Sequence, residues 1–502
     1  MKPTPPHSPP AANTIQSILE WLAEANQSIR PESTDELHRK IRQLRAAPIP
    51  SPQRVKLLDL FFTLTERLIC AELPDLLQTT MPIPRRLQLQ ARGLQALLQT
   101  LSQDYLNTLS ELFDPQLRQP HRPPNEALRR SLQCVVWNIQ ISQLVAAPTP
   151  AGLWLELHNT FNTIRQLGLN ATLSADENNE LQRLYLRAIL IAIAQPASFN
   201  AHELDFINNC LDSIGHNIAF SEAPPADSKG AFWIDPNTDF PAHALARRRP
   251  PPDTTVCFFS CKSLAEEFSK RLKAVEKGSS SAHAGLPAMA DEPTGQAVLH
   301  RLITRWGNPG KRRFNRRRQS YRAKLTVGLN HLWQLFRTPE SPPLFSEWMV
   351  INESPDGYAI MHMSGEADSL EVGDIVAIQP SKESSQGETA WHLCLVRWAI
   401  SENPEHIELG LQLLAPSAMA AMIAQPLDSP SGTNKALLIP AFPPLRNTAA
   451  LIIENGQLNS QSGKIIALLE KENLEIREFR PAGIDEQTNR IKVFNVEPDE
   501  TR

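Results

Sequence analysis

Apolar residues recur at three- and four-residue steps through "RVKLLDLFFTLTERLICAEL", "LQLQARGLQALLQTLSQDYLNTLSELF" and "NNELQRLYLRAILIAIA". That spacing lays one apolar stripe along a helix. Ser33 followed by Glu36 has the spacing of a capping box, and Ser51-Pro52 reads as a helix start with proline in its first turn. Proline-rich joints near 48–52, 82–84, 120–124 and 148–150 separate the helices. No self-similar helical repeat of about 34 residues is visible. Residues 14–215 are therefore expected to form an all-α bundle or irregular helical stack, preceded by a flexible leader at 1–13.

The texture then changes. Residues 216–253 are rich in Pro, Asp and Ser, as a linker would be. "TTVCFFS" reads as a strand and "SLAEEFSKRLKAVEK" as a helix, with Gly278 placed for a left-handed C-cap. Another helix is expected around "GQAVLHRLITRW". After Arg322 the apolar period falls to two. Ile407, Leu409, Leu411 and Leu413 alternate along one strand, while "GDIVAIQP" and "WHLCLVRWAI" are short β-type runs. Such strands predict a small barrel or sandwich over 311–418. The same texture in "KALLIPAF", "AALIIENGQL", "GKIIALLEKENLEIREF" and "RIKVFNV" predicts a second small β domain over 419–502, with a hairpin turn at "ENGQL". The fold class is multidomain α+β: helical at 14–215, a linker with a small αβ segment at 216–310, then two β domains.

Composition narrows the functional classes. The formal net charge is −4, the sequence pI is about 6.4 and the mean hydropathy is −0.30. No segment reaches the roughly 18 apolar residues of a membrane helix. Six cysteines scattered over 502 residues make no disulfide framework, so a reduced, cytoplasmic protein is expected. Cys257 and Cys261 have the spacing of half a metal site, but no second pair follows. A buried strand leading into a helix accounts for them. The helical region shows no phosphate-binding glycine loop, zinc-protease motif or nucleophile elbow. His158 and Trp154 on its amphipathic helix read as core or rim residues. No nucleophile is paired with a base, so no enzyme is expected.

Against this acidic background, "KRRFNRRRQSYR" at 311–322 gathers seven Lys and Arg into twelve positions. A solvated linker, a nucleic-acid patch and a small-anion site all fit such a run. Guanidinium groups pair with phosphates through two parallel N–H bonds and lie flat on purines. Some thirty residues on, "NESPDG" offers Asn352 and Ser354 at alternate positions, with Gly357 where the backbone turns tightly or approaches a ligand closely. Arginines for phosphates and a polar loop for a base edge make a nucleotide-sized site.

This constellation resembles the PilZ family, receptors for the bacterial second messenger cyclic di-GMP, over about residues 312–415. The family signature is R-x-x-x-R followed by [D/N]-x-S-x-x-G. Here it reads Arg318-Gln-Ser-Tyr-Arg322, then Asn352-Glu-Ser354-Pro-Asp-Gly357. Strands at "EVGDIVAIQ", "VRW" and "IELGLQLL" follow in the family's order. The chain departs from the pattern at Glu353, where the family usually has an apolar residue. The resemblance implies that Arg318 and Arg322 wrap the dinucleotide and that Arg317 is an accessory cation. It implies contacts from Asn352 and Ser354 to a guanine edge, with Gly357 keeping the loop close. The helical connection "GLNHLWQLFRTPESPP" is expected as an insertion near the barrel mouth. The function implied is a cytoplasmic bacterial effector that needs no cofactor beyond its ligand. Its output would be an unidentified protein partner of the helical region, in motility, pili or biofilm control. The expected switch is the folding of a flexible 311–322 segment onto the barrel. A structural adaptor with a silent barrel and a nucleic-acid-binding protein remain the alternatives.

Overall fold

The computed structural model describes residues 11–25, 33–112, 123–166, 175–213, 218–310, 314–338, 344–365, 369–381, 390–403, 405–424, 434–443, 446–456, 464–470 and 474–499. Most of the expected leader, and Lys311 to Arg313 of the basic run, lie outside these residues. The chain divides into two compact units. One comprises Met1–Thr79, Arg85–Ala194 and Ile214–Leu264, the other Thr80–Pro84, Gln195–Ser213 and Ala265–Arg502.

The first unit is mainly helical. Its helices include Ser33–Ala46, Ser51–Leu77, Arg85–Leu112, Pro123–Leu144, Leu153–Gln166 and Ala175–Ile193. The periodic stripes become a core of Leu37, Ile41, Phe61, Phe62, Leu98, Leu101, Leu132 and Ile139. The helix at Ser51 starts as expected, with proline in its first turn. The Ser33 side chain lies outside the described residues; the Glu36 carboxylate accepts from Trp21 Nε1 at 3.1 Å and from Arg39 at 3.1 Å, tying two helices together. His158 and Trp154 are core residues. The imidazole lies 2.8 Å from Tyr185 Oη and 2.9 Å from the Phe240 carbonyl, and burial lowers its pKa. A three-stranded sheet of β1 (Ala231–Ile234), β2 (His243–Ala244) and β3 (Cys257–Ser260) packs Trp233, Val256 and Phe258 together. The Pro-rich stretch is thus more built than a linker. Phe232 and Trp233 are buried within it, which mean polarity concealed. Cys261 is buried at the end of this sheet, and the described residues hold no cluster of three or more His, Cys, Asp or Glu that could bind a metal. Gly278, at φ +98°, ends the helix Lys262–Glu276 as expected, with Ser279 N donating to Ala274 O and Gly278 N to Val275 O.

The second unit carries two closed six-stranded barrels. The first runs through β4 (Arg317–Val327), β5 (Ser346–Ser354), β6 (Gly357–Ser364), β7 (Ile375–Pro380), β8 (His392–Asn403) and β9 (His406–Ala415), in the order β4-β5-β6-β9-β8-β7. The second runs through β10 (Met419–Ala424), β11 (Asn434–Ile439), β12 (Ala449–Glu454), β13 (Ile465–Glu470), β14 (Leu474–Gln487) and β15 (Ile491–Pro498), in the order β10-β11-β12-β15-β14-β13. The two orders are one topology used twice. The turn at "ENGQL" closes no hairpin: β12 pairs with β11 and β15, while β13 pairs with β10 and β14. The third and fourth strands are likewise not neighbours in the first barrel, where β6 pairs with β5 and β9 and β7 with β4 and β8.

The barrels share one apolar joint. Ile375, Ala377, Leu393 and Leu395 meet Leu437, Ile439, Ala450, Ile452 and Val493 across the buried face of the helix Leu329–Arg337. That helix is the expected insertion, and it sits at the joint between barrels, with Trp333 Nε1 donating to Ala421 O at 2.8 Å. Its apolar face needs a partner surface, and the second barrel supplies one.

Beside the joint a cavity of about 490 Å³ is lined by His331, Asp374, Glu454, Asn455 and Arg490 among others. Asp374 accepts from Glu371 N at 2.8 Å and lies 3.2 Å from Arg490 Nε. Burial nevertheless pushes its carboxyl up to about 6, from an ordinary 3.8, against the pull of Arg490. The folded chain therefore takes up this proton at a higher pH than the unfolded chain does. By linkage this group adds stability as the pH falls from about 6 to about 4. Asp374→Asn is expected to flatten that part of the stability profile. Denaturant unfolding of both proteins across this window checks it, and superimposable profiles would count against the shift.

Candidate functional site

The site is built at the tip of the β5–β6 hairpin. Ser354 pairs with Gly357, leaving a two-residue loop of Pro355 and Asp356. Ser354 Oγ donates to Asp356 Oδ1 at 2.6 Å and lies 3.2 Å from Gly357 O, so the hydroxyl closes its own loop. Leu413 N donates to Asp356 O at 2.8 Å and anchors the tip to β9. Gly357 adopts φ +151°, and a Cβ there would lie 1.9 Å from Leu411 O. The glycine lets β6 press against β9, a reason internal to the barrel that operates beside any role toward a ligand.

Strand register brings the arginines to this hairpin. Arg317 pairs with Glu353 and Arg318 with Asn352. Between Arg318 and Tyr321 the register shifts, so the spacer of R-x-x-x-R contains a bulge. Arg322 then pairs with Met349, further along β4, and its guanidinium approaches Glu347 at 3.8 Å on the surface. Arg317, Arg318 and Arg322 are all exposed. Among the described residues, Arg317 and Arg318 make no side-chain hydrogen bond or ion pair. Residues opposite one another in an antiparallel pair share a face with side chains in reach, so Arg318 stands beside Asn352. Positions 317–322 are already strand, which corrects the expectation that the whole 311–322 segment folds only on binding.

Glu353 is also explained. Tyr321 Oη donates to Glu353 Oε2 at 3.0 Å, and burial together with that carboxylate raises the tyrosine's pKa, keeping it a neutral donor. The carboxylate is held by the barrel's own hydroxyl.

A cleft of about 180 Å³ opens at the hairpin, lined by Arg316, Asn352, Ser354, Gly357, Tyr358, Arg397, Trp398 and Gln412 among others. It gathers Asn352, Ser354 and Gly357 but none of Arg317, Arg318 and Arg322, which stand outside on the open face. The cleft is below the roughly 300–1,000 Å³ that drug-sized ligands fill. Its volume is that of a single ring system. Arg397, Trp398, Tyr358 and Gln412 were not read from the sequence as site residues. Strand alternation hides Arg397, because the β8–β9 register shifts between Val396 and Trp398 and leaves it as the extra residue of a bulge. Trp398 lies across Gly410, where a Cβ would come within 1.7 Å of its Nε1.

Comparison with known proteins agrees with this architecture. Residues 337–420 match the family model described as the middle PilZ domain of the cyclic-di-GMP receptor FimW, and residues 16–226 match its N-terminal domain. The PilZ match falls on the middle barrel, from β5 to β9. Over 519 aligned residues, 88 % of this chain and 84 % of the relative, the sequence is 20 % identical to the cyclic-di-GMP receptor FimW of Pseudomonas aeruginosa. The PilZ match includes Asn352, Ser354 and Gly357 and begins after Arg322. No helix among the described residues is long and apolar enough to cross a membrane.

Proposed function

We propose that this protein is a cytoplasmic bacterial effector whose PilZ barrel binds cyclic di-GMP and whose output is a protein–protein contact. The observation that carries the reading is the pairing of Arg318 with Asn352, which sets an uncommitted guanidinium beside the hairpin's polar tip. One guanine enters the cleft against Asn352 and Ser354. The phosphates lie toward Arg317, Arg318 and Arg322 on the open face. The likeness to a cyclic-di-GMP receptor over both the helical and the middle regions supports the same ligand. No catalytic role is proposed, and no cofactor or metal beyond the ligand is needed. The partner is assigned to the helical region, with motility, pili or biofilm control as the class of output.

Calorimetric titration of cyclic di-GMP into the full chain, with GTP and cyclic AMP as controls, tests the reading. Saturable, selective binding at micromolar or tighter affinity is expected, about 8 kcal/mol or more. No heat and no thermal shift with any nucleotide would leave a structural adaptor with a silent barrel. Equal response to all polyanions, lost steeply with salt, would indicate nucleic acid instead.

A further inference from the structure

We infer that Arg397 is an additional ligand-binding cation, held before binding by Glu486 of the second barrel, so that this barrel sets the affinity of the PilZ site. The inference rests on the reading of the site as a dinucleotide receptor and extends it to residues outside the family signature.

Arg397 faces two ways. It lines the cleft with Asn352 and Ser354. Its Nε donates to Gln412 Oε1, another cleft residue, and its Nη2 pairs with Glu486 Oε2. Glu486 lies on β14 of the second barrel and does not line the cleft. Both ends of this ion pair sit at strand irregularities. On β8 the register shift between Val396 and Trp398 makes Arg397 the extra residue. On β14 a shift between Ile484 and Glu486 makes Asp485 the extra residue. Bulges of this kind re-aim side chains at the cost of regular pairing. The neighbour Asp485 is directed to a different arginine, Arg446, at 2.7 Å. Arg446 also donates to Leu414 O at 3.0 Å and has no place in the cleft. Glu486 therefore ties the barrels through Arg397, within the site, whereas Asp485 steadies Arg446 inside the second barrel, and Arg446 makes a second tie at Leu414 O, away from the cleft.

A phosphate is an acceptor of the same kind as the Glu486 carboxylate, and the guanidinium fork at Arg397 is partly exposed. A dinucleotide whose base fills the cleft brings anionic oxygens to its rim, where Arg397 stands. Recruiting Arg397 then requires loosening its hold on Glu486. Linkage makes the effect reciprocal: whatever weakens the Arg397–Glu486 pair tightens ligand binding, and ligand weakens the pair to the same extent.

Titration of cyclic di-GMP into four full-length proteins tests this: wild type, Glu486→Gln, Arg397→Ala and Asp485→Asn. Glu486→Gln is expected to tighten binding roughly two- to fivefold, since a partly exposed ion pair is removed from competition. Arg397→Ala should weaken binding roughly tenfold, the loss of one charge-assisted contact. Asp485→Asn loosens the other tie and should leave the affinity at the wild-type value. Wild-type binding with no change in Glu486→Gln would overturn the inference alone. Weaker binding in Glu486→Gln would mean that Glu486 orients Arg397 and does not compete for it. Equal tightening in Asp485→Asn would trace the effect to general loosening of the joint and also overturn the exchange. No binding by wild type would remove the receptor reading itself, and this inference with it.

Discussion

The double replacement Arg318→Ala, Arg322→Ala is expected to weaken cyclic di-GMP binding about 100-fold or more while leaving the melting temperature where it was. Each guanidinium offered to a phosphate is worth roughly 1.5–3 kcal/mol, and every 1.4 kcal/mol is a factor of ten in affinity. The fold gives up little in exchange. Arg318 is exposed without a side-chain partner among the described residues. Arg322 meets Glu347 only at 3.8 Å on the surface, a contact of small worth. Their aliphatic stems lie on an outer face, and the inward residues of the same strand, Ala323 and Leu325, remain. Calorimetry and a thermal scan on the same samples check both halves. A double variant that melts lower in step with its lost affinity would make the arginines structural. Unchanged affinity would send the phosphates elsewhere on the barrel.

Gly357→Ala is expected to do the opposite: to damage the fold first and lose the ligand as a consequence. Its backbone sits at φ +151°, and the new methyl would lie 1.9 Å from Leu411 O and 2.9 Å from Leu411 C. These are backbone atoms of the paired strand, so no rotamer change relieves the clash. Either β6 and β9 separate at the site or the hairpin tip is displaced, at a cost of about 3 kcal/mol or more. Gly310→Ala is the matched control, with nothing within 4 Å of the added Cβ and no positive φ. Chemical denaturation should show Gly357→Ala destabilised and Gly310→Ala close to wild type. A stable Gly357→Ala that merely binds less tightly would assign the glycine to ligand access and not to strand packing.

These two expectations separate what was legible in the sequence from what was not. The chemistry of R-x-x-x-R and N-x-S-x-x-G could be read because side-chain type and spacing are local properties. The helical stripes and the change to period two were legible for the same reason: each element's burial pattern repeats within its own length. Arg318 and Asn352 could be suspected of cooperating, yet strand register alone makes them neighbours.

Where two distant surfaces cover each other, local pattern fails. "IVAI" in β7 and "LCLV" in β8 show no alternation, because Val376 and Cys394 are buried within the barrel while Ile375, Ala377, Leu393 and Leu395 face the joint with the second barrel. The helix Leu329–Arg337 was legible as a helix, but its place at the joint depends on a surface more than eighty residues away. Arg397 escaped for a related reason. A bulge adds one residue to a strand, so the parity that tells inside from outside breaks at the point where the side chain matters. Glu353, an anomaly in the motif, becomes ordinary once Tyr321 is seen to hold it. Composition and periodicity settled what kinds of element this chain makes and where its run of arginines lies. Register, bulges and the contact of two barrels settled which of those residues meet, because these depend on pairings between segments far apart in the chain, which no local window of sequence contains.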